Sequence, residues 1–283
     1  MEVLVLGASG MAGHMITMHL QEQGHNVTGF ARSSLPYCDT IVGNALSQES
    51  VRNALTSKPF DIVINGIGVL NKDVDRNVAD GIYLNSYFPH YIVNCLRETP
   101  VRVIHLSTDC VFSGKTGNYH EHSIKDGKTL YDQTKALGEI VDDKNLTFRA
   151  SIIGPDIRAH GVGLLNWFLQ QKSLVNGYTG AVWTGVSTFT LAQAIHYAMK
   201  EKLTGLYHLV NNRKITKYDL LLLFNRIIRR EPIEIMPSDT VQIDKSLINN
   251  RTDFSFQVPT YEKMVNDMKT WIDDHRELYP HYE

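Results

Sequence analysis

Glu2-Val3-Leu4-Val5-Leu6-Gly7-Ala8-Ser9-Gly10-Met11-Ala12-Gly13 opens the chain with an aliphatic run, a glycine turn and the start of a helical pattern. Residues 3–6 show no polar alternation, which is how a strand covered on both faces reads. Residues 11–23 then follow a helical period. In such a strand–turn–helix unit the first glycine permits the tight turn. The second lets backbone N–H groups approach a pyrophosphate, and the third lets helix and strand pack closely. The helix N-terminus adds its partial positive charge. Gly7, Ser9, Gly10, Met11, Ala12 and Gly13 are therefore expected to hold the phosphates of a nucleotide, with a GxxGxxG spacing one residue longer than the common GxGxxG.

The same unit recurs along the chain. Residues 27–30, 41–42, 62–64, 101–106 and 146–153 read as strands, and residues 81–97 and 131–142 as helices between them. Strands alternating with helices predict an α/β fold, a Rossmann-type doubly wound parallel sheet, over residues 1–153. Gly154-Pro155 then breaks the chain, and Gly161, Gly163, Gly177, Gly180 and Gly185 punctuate the segment after it. Helical patterns at 190–200, 216–229 and 260–275, with short strands at 206–210 and 233–236, predict a smaller mixed α/β lobe over 154–283 that binds substrate. Residues 181–200 are expected to return to the first domain.

Composition narrows the function. The 283 residues are 43% hydrophobic, enough for a full core. Lys plus Arg number 28 against 30 Asp plus Glu, and no basic run clusters, which argues against a nucleic-acid partner. No apolar stretch approaches the ~18 residues of a membrane span. Cys38, Cys95 and Cys110 have no CxxC spacing, so neither a disulfide framework nor a zinc cage is expected, and a reducing, cytoplasmic setting is. His120-Glu121-His122 has the look of a metal fragment but lacks a third ligand at useful spacing, so no metal is expected.

The end of the second strand distinguishes the two nicotinamide cofactors. An acid there would bond the ribose 2′-hydroxyl and repel a 2′-phosphate. Here Thr28-Gly29-Phe30-Ala31-Arg32-Ser33-Ser34 has no acid before Asp39. Arg32 can pair with a phosphate dianion and Ser33 can donate a hydroxyl, so NADPH is expected. Asn44 is a candidate adenine contact, and Gly66, Ile67 and Gly68 supply a small-residue passage for a ribose.

Tyr131-Asp132-Gln133-Thr134-Lys135 sets a phenol and an ammonium four apart on one helical face. A lysine charge there is expected to lower the tyrosine pKa from its usual value of about 10 and to hold the nicotinamide ribose. Upstream, Ser107-Thr108-Asp109-Cys110-Val111-Phe112 lies at the carboxyl end of the fifth strand, where ligands of open α/β sheets bind. The Thr108 hydroxyl can donate to a carbonyl oxygen that is becoming an alkoxide.

These motifs, with Tyr119/Glu121, Ala136-Leu137-Gly138-Glu139 and Phe148-Arg149-Ala150-Ser151, resemble the extended short-chain dehydrogenase/reductase superfamily over most of the chain. Within it the chain is most similar to dTDP-4-dehydrorhamnose reductases and related nucleotide-sugar reductases. The resemblance implies reduction of the C4 ketone of a nucleotide-linked 4-keto-6-deoxysugar, in surface-polysaccharide or deoxysugar biosynthesis, in a protein that could act as a homodimer. It implies Tyr131 as proton donor, Lys135 as its partner and ribose ligand, and Thr108 as the third catalytic hydroxyl. Asp109, Cys110, Ile152 and Trp183 are the candidate substrate contacts. Ile152 stands where the rhamnose-forming branch commonly has a tryptophan; Trp183 and Tyr178 could stack on a nucleobase or belong to the core.

Three alternatives accompany that reading. A 4,6-dehydratase would need a carboxylate where Cys110 stands, so it is disfavoured. A bifunctional 3,5-epimerase/4-reductase would use Cys110 as a thiolate with His160. A non-catalytic, NADP-binding regulatory subunit could also keep the Tyr–Lys pair.

Overall fold

The computed structural model describes residues 1–282. Strands β1 (Glu2–Leu6), β2 (Asn26–Ala31), β3 (Asp39–Val42), β4 (Ile62–Asn65), β5 (Arg102–Ser107) and β6 (Leu146–Arg149) lie in one seven-stranded sheet. Gly205–His208 is its seventh strand, and the order across the sheet is Gly205–His208, β6, β5, β4, β1, β2, β3. Every pairing is parallel. The order reverses between β1 and β4, which leaves a crevice at their carboxyl ends.

Side-chain alternation explains the two covered faces. Val3 and Val5 pack with Ile62, Ile64, helix α1 (Met11–Glu22) and the helix Thr188–Glu201. Leu4 and Leu6 point the other way, into a cluster with Phe30, Val51, Phe88 and Ile92. Val3, Leu4, Val5 and Leu6 are all fully buried. The α/β doubly wound sheet expected from the sequence is thus what the chain forms.

Three expected elements differ. The run 146–153 splits, because β5 ends at Ser107 and offers no partner beyond Arg149; Ser151–Ile153 instead pairs with Gly185–Ser187 in a separate two-stranded sheet. The helix expected over 131–142 stops at Leu137, where Gly138 ends it and Glu139 turns into the interior. The helix expected over 81–97 begins at Val78 and passes through a π-helical turn, Tyr83–Tyr87, before Phe88–Cys95. Pro89 has no N–H for the Asn85 carbonyl. That carbonyl faces Gly138, where a Cβ would stand only 1.9 Å away.

The chain also crosses between sheet and lobe more often than a break at 153/154 describes. Gly205–His208, placed in the lobe by its sequence position, completes the main sheet at the edge of β6. Gly205 adopts φ 75°, and its N–H on the Asn145 carbonyl (2.7 Å) sets the register. The rest of the lobe is built from short pairings: Ile235–Ser238 beside Val175–Tyr178, and Ala181–Trp183 between Ile215–Thr216 and Ile243–Asp244. Among the described residues no helix is long and apolar enough to cross a membrane.

Candidate functional site

Gly7 has φ 82°, and a Cβ on it would press into Ile67, so the β1 turn and the loop after β4 touch at the crevice. A Cβ on Gly13 would lie 2.0 Å from the Gly7 carbonyl oxygen, which is the close helix–strand packing that needs the third glycine. Gly10, by contrast, meets only the Gly7 oxygen at 3.3 Å. It forms the N-cap of α1, with no side-chain cap and no acid in the first turn. The first-turn N–H groups are therefore available to an anion, and the cradle fits a dinucleotide pyrophosphate.

Arg32 and Ser33 are exposed just past β2, at the same edge of the crevice. Asn44 is exposed after β3, with its Oδ1 accepting from the Leu46 N–H (3.0 Å), which leaves its amide NH2 for a ligand. Tyr37, which nothing in its local sequence singled out, donates its hydroxyl to the Ala8 carbonyl (3.0 Å) and braces the glycine turn from outside.

The tyrosine helix, Leu130–Leu137, starts at a capping box. Asp132 N–H donates to the Thr129 hydroxyl, and the Asp132 carboxylate accepts from the Thr129 N–H, each at 3.1 Å. This fixes the first turn and so the direction of Tyr131 and Lys135. Lys135 is buried; its ammonium donates to the Leu106 carbonyl (2.8 Å) on β5 and stands near Gly68. Burial lowers its pKa to about 8, with Glu139 opposing. Asn85 pins the loop after β4 to this helix, accepting from Val69 N–H (2.9 Å) and donating to the Val69 carbonyl (3.0 Å) and the Thr134 hydroxyl (3.2 Å). Gly66, Ile67, Gly68 and Lys135 are thereby brought together.

Thr108 caps the short turn Asp109–Val111: Cys110 N–H donates to its hydroxyl at 3.2 Å, and that hydroxyl reaches Asp109 Oδ1 at 3.2 Å. Tyr131 stands beside Thr108. The expected depression of the tyrosine pKa is not what this site displays. Burial raises it, assisted by Cys110, while Thr108 opposes; Lys135 is engaged on Leu106. Tyr131 is accordingly held as a neutral phenol, a proton donor next to a second hydroxyl.

Behind these groups lies a buried ionic network. Arg149 makes a two-pronged bond to Glu139, Nε to Oε1 and Nη2 to Oε2, both 2.7 Å. Ser107 Oγ donates to Glu139 Oε1 (2.7 Å), and Lys125 approaches Oε2 at 3.1 Å. Arg149 Nη1 donates to His208 Nε2 (2.7 Å), which leaves His208 Nδ1–H for the Ile248 carbonyl (2.9 Å). The residues flanking Thr108 are thus tied to the seventh strand and the lobe.

The remaining candidates separate. Ile152 is half-buried in the small sheet with Val186. Trp183 is only 3% exposed, its ring against Tyr261 (5.7 Å) and the Lys217 ammonium (4.7 Å), so it is a core aromatic and not a free platform for a nucleobase. Burial and Asp109 push the Cys110 thiol up to about 12, the opposite of a thiolate. His160 is exposed on the loop leading to Gly163, which packs against Met11, and no interaction joins it to Cys110 among the described residues. In the 120–122 segment, Glu121 is buried towards His208 while His120 bonds Asn250. No group of three His, Cys, Asp or Glu among the described residues is arranged for a metal.

Lys217 carries no signal in its local sequence, yet its ammonium is held over the Trp183 ring. It comes from the lobe, is half-buried, and feels both Asp109 and Cys110.

The RmlD substrate binding domain family matches residues 1–252. The spore coat polysaccharide biosynthesis protein SpsK of Bacillus subtilis is 27% identical over 226 residues, 77% of this chain and 76% of that one. The dTDP-4-keto-6-deoxy-D-glucose reductase of Streptomyces niveus is 24% identical, covering 84% and 83%. In three dimensions, the dTDP-4-dehydrorhamnose reductase of Bacillus anthracis, solved in complex with NADP, superposes with a TM-score of 0.81 at 15% identity, over 95% of this chain and 99% of that one.

Proposed function

This chain belongs to the RmlD substrate binding domain family, and we propose that it is an NADPH-dependent reductase of the C4 ketone of a nucleotide-linked 4-keto-6-deoxysugar. The observation that carries the reading is the convergence of Thr108, Tyr131 and Lys135 at the carboxyl end of β5, beside the Gly66–Gly68 passage. Reductases of such sugars among its relatives support the substrate class.

The first-turn N–H groups of α1 would hold the pyrophosphate, and Lys135 would hold the nicotinamide ribose. The cofactor, when bound, supplies the hydride. Tyr131, and Thr108 once its hydroxyl turns from Asp109 Oδ1, would donate to the ketone oxygen, where negative charge grows as the carbonyl is reduced, so they stabilise the transition state more than the ground state. Tyr131 then transfers its proton to that oxygen. The test is NADPH oxidation with a panel of 4-keto-6-deoxy sugar nucleotides. Binding of NADPH without turnover of any of them would favour a regulatory subunit instead.

Cofactor choice rests on Arg32, exposed beside Ser33 with no acid at the strand end. Arg32→Ala is expected to weaken NADPH by roughly ten- to a hundredfold, the worth of a charged hydrogen bond, and NADH far less. Fluorescence titration with both cofactors checks this, and equal losses would refute it.

The raised Cys110 pKa argues against epimerisation at this site. Turnover in D2O is expected to leave C3 and C5 unlabelled in the product. Deuterium at either carbon, abolished by Cys110→Ser, would restore the epimerase–reductase.

A further inference from the structure

Residues 279–282, beyond the helix Tyr261–Asp274, fold back onto the start of α1. Tyr279 is 3% exposed, and its hydroxyl stands between Trp271 Nε1 at 3.1 Å and His14 Nε2 at 2.7 Å. His14, at the fourth position of α1 and fully buried, sets its Nδ1 3.0 Å from the Gly10 carbonyl oxygen. The protons along this chain of bonds have one arrangement. A carbonyl only accepts, so His14 carries its hydrogen on Nδ1. An indole N–H only donates, so the Tyr279 oxygen accepts from Trp271 and gives its own hydrogen to His14 Nε2. Burial lowers the His14 pKa to about 4, which keeps the ring neutral and that nitrogen free to accept.

The Gly10 carbonyl thus receives two donors from one residue, the His14 backbone N–H (3.0 Å) and its ring. The first belongs to any helical turn; the second matters because Gly10 has no side chain to brace the N-cap. A peptide unit is planar and trans. Fixing the Gly10 carbonyl along the helix therefore fixes the Met11 N–H in the opposite direction, out of the helix start and into the crevice. That N–H is one of the first-turn groups open to an anion. The same residues grip Met11 from its other side. The Tyr282 hydroxyl accepts from the Asp156 N–H (2.9 Å), and its ring stacks on Tyr279 at 5.7 Å. Gly163, on the same loop as Asp156, meets Met11 so closely that a Cβ there would lie 2.9 Å from its Sδ.

We propose that Tyr279 is a positioning residue of the cofactor site: through His14 it holds the Gly10–Met11 peptide with the Met11 N–H turned to the pyrophosphate, so that residues 279–282 set the affinity for dinucleotides. This rests on the reading of the glycine turn as a pyrophosphate cradle. Tyr279 touches no ligand itself. It removes the freedom of a glycine peptide before a ligand arrives, so the cost of ordering that peptide does not fall on binding.

Two ligands separate the ends of the cofactor. NADPH has the pyrophosphate; 2′-AMP has the adenosine and its 2′-phosphate without it. Tyr279→Phe keeps the ring and removes the hydroxyl. It is expected to weaken NADPH on the order of tenfold in fluorescence titration, and to leave 2′-AMP near wild type in calorimetry. His14→Leu breaks the same chain of bonds one link further along and is expected to show the same split. The double variant should lose no more than the worse of the two, because both changes break one hydrogen-bonded unit. General damage to the fold would instead weaken both ligands alike. Equal fractional losses for NADPH and 2′-AMP, unchanged NADPH affinity, or losses that add in the double variant overturn this inference alone. Wild type that binds neither ligand overturns it together with the dinucleotide reading.

Discussion

Tyr131→Phe is expected to lower kcat about a hundred- to ten-thousandfold, the usual cost of removing a positioned general acid, while NADPH affinity stays near wild type. Protonation is the reason. Burial keeps the Tyr131 hydroxyl above its ordinary pKa of about 10, so the phenol carries its proton throughout the neutral range. The alkoxide it meets is a far stronger base than phenolate, so proton transfer runs downhill once the ketone is reduced. Phenylalanine keeps the ring in the Leu130–Leu137 helix and removes only the donor. Lys135, on the Leu106 carbonyl, is untouched, which is why the cofactor should bind as before. Single-turnover NADPH oxidation, with affinity measured separately by fluorescence, tests both halves. Wild-type rates in the variant would falsify the assignment of Tyr131 as the acid.

The second large effect concerns stability. Glu139 and Arg149 are each 1% exposed at their side chains and bonded through both oxygens. Replacing one member of a buried pair strands the other charge, at a typical cost of roughly 3–5 kcal/mol. Glu139→Gln is therefore expected to lose about that much in urea unfolding, a large share of an ordinary domain's stability. Burial by itself would raise the Glu139 pKa, but Arg149, Ser107 and Lys125 together hold it below the usual carboxylate value. A group depressed in the folded state contributes stability above its unfolded pKa of about 4.3 and loses it as pH falls through the folded value. Wild type should thus shed this contribution in acid, and Glu139→Gln should show a flatter dependence there. An unchanged unfolding midpoint at neutral pH would mean that the network does not hold the site together.

Much of this could be read locally. The helix–strand packing at the glycine turn acts within a few residues, so its spacing already carried that geometry: Gly13 lies against the backbone of Gly7 and Ala8, and Gly7 turns at positive φ. Continuous aliphatic runs report burial on both faces, which is why β1, β2, β4 and β5 and the parallel sheet were legible from periodicity alone. Tyr131 and Lys135 share a helix face by virtue of their spacing, whatever the rest of the molecule does.

What required the tertiary structure was every decision made between distant segments. Residues 146–153 carry one uninterrupted strand signal, yet they part at Ala150 because β5 runs out of residues to pair with. Gly205–His208 has the pattern of a strand but no mark of which sheet it joins; the open edge of β6 decided that. The direction in which the Tyr131 pKa moves turned on burial, a property that its lysine neighbour in sequence could not report. Lys217 looks like a solvated charge at the start of a helix until the lobe carries its ammonium over the Trp183 ring. Periodicity records how each segment meets its surroundings as inside or outside. Which two segments meet depends on free edges and shape across the whole chain, and that is what periodicity along one segment does not record.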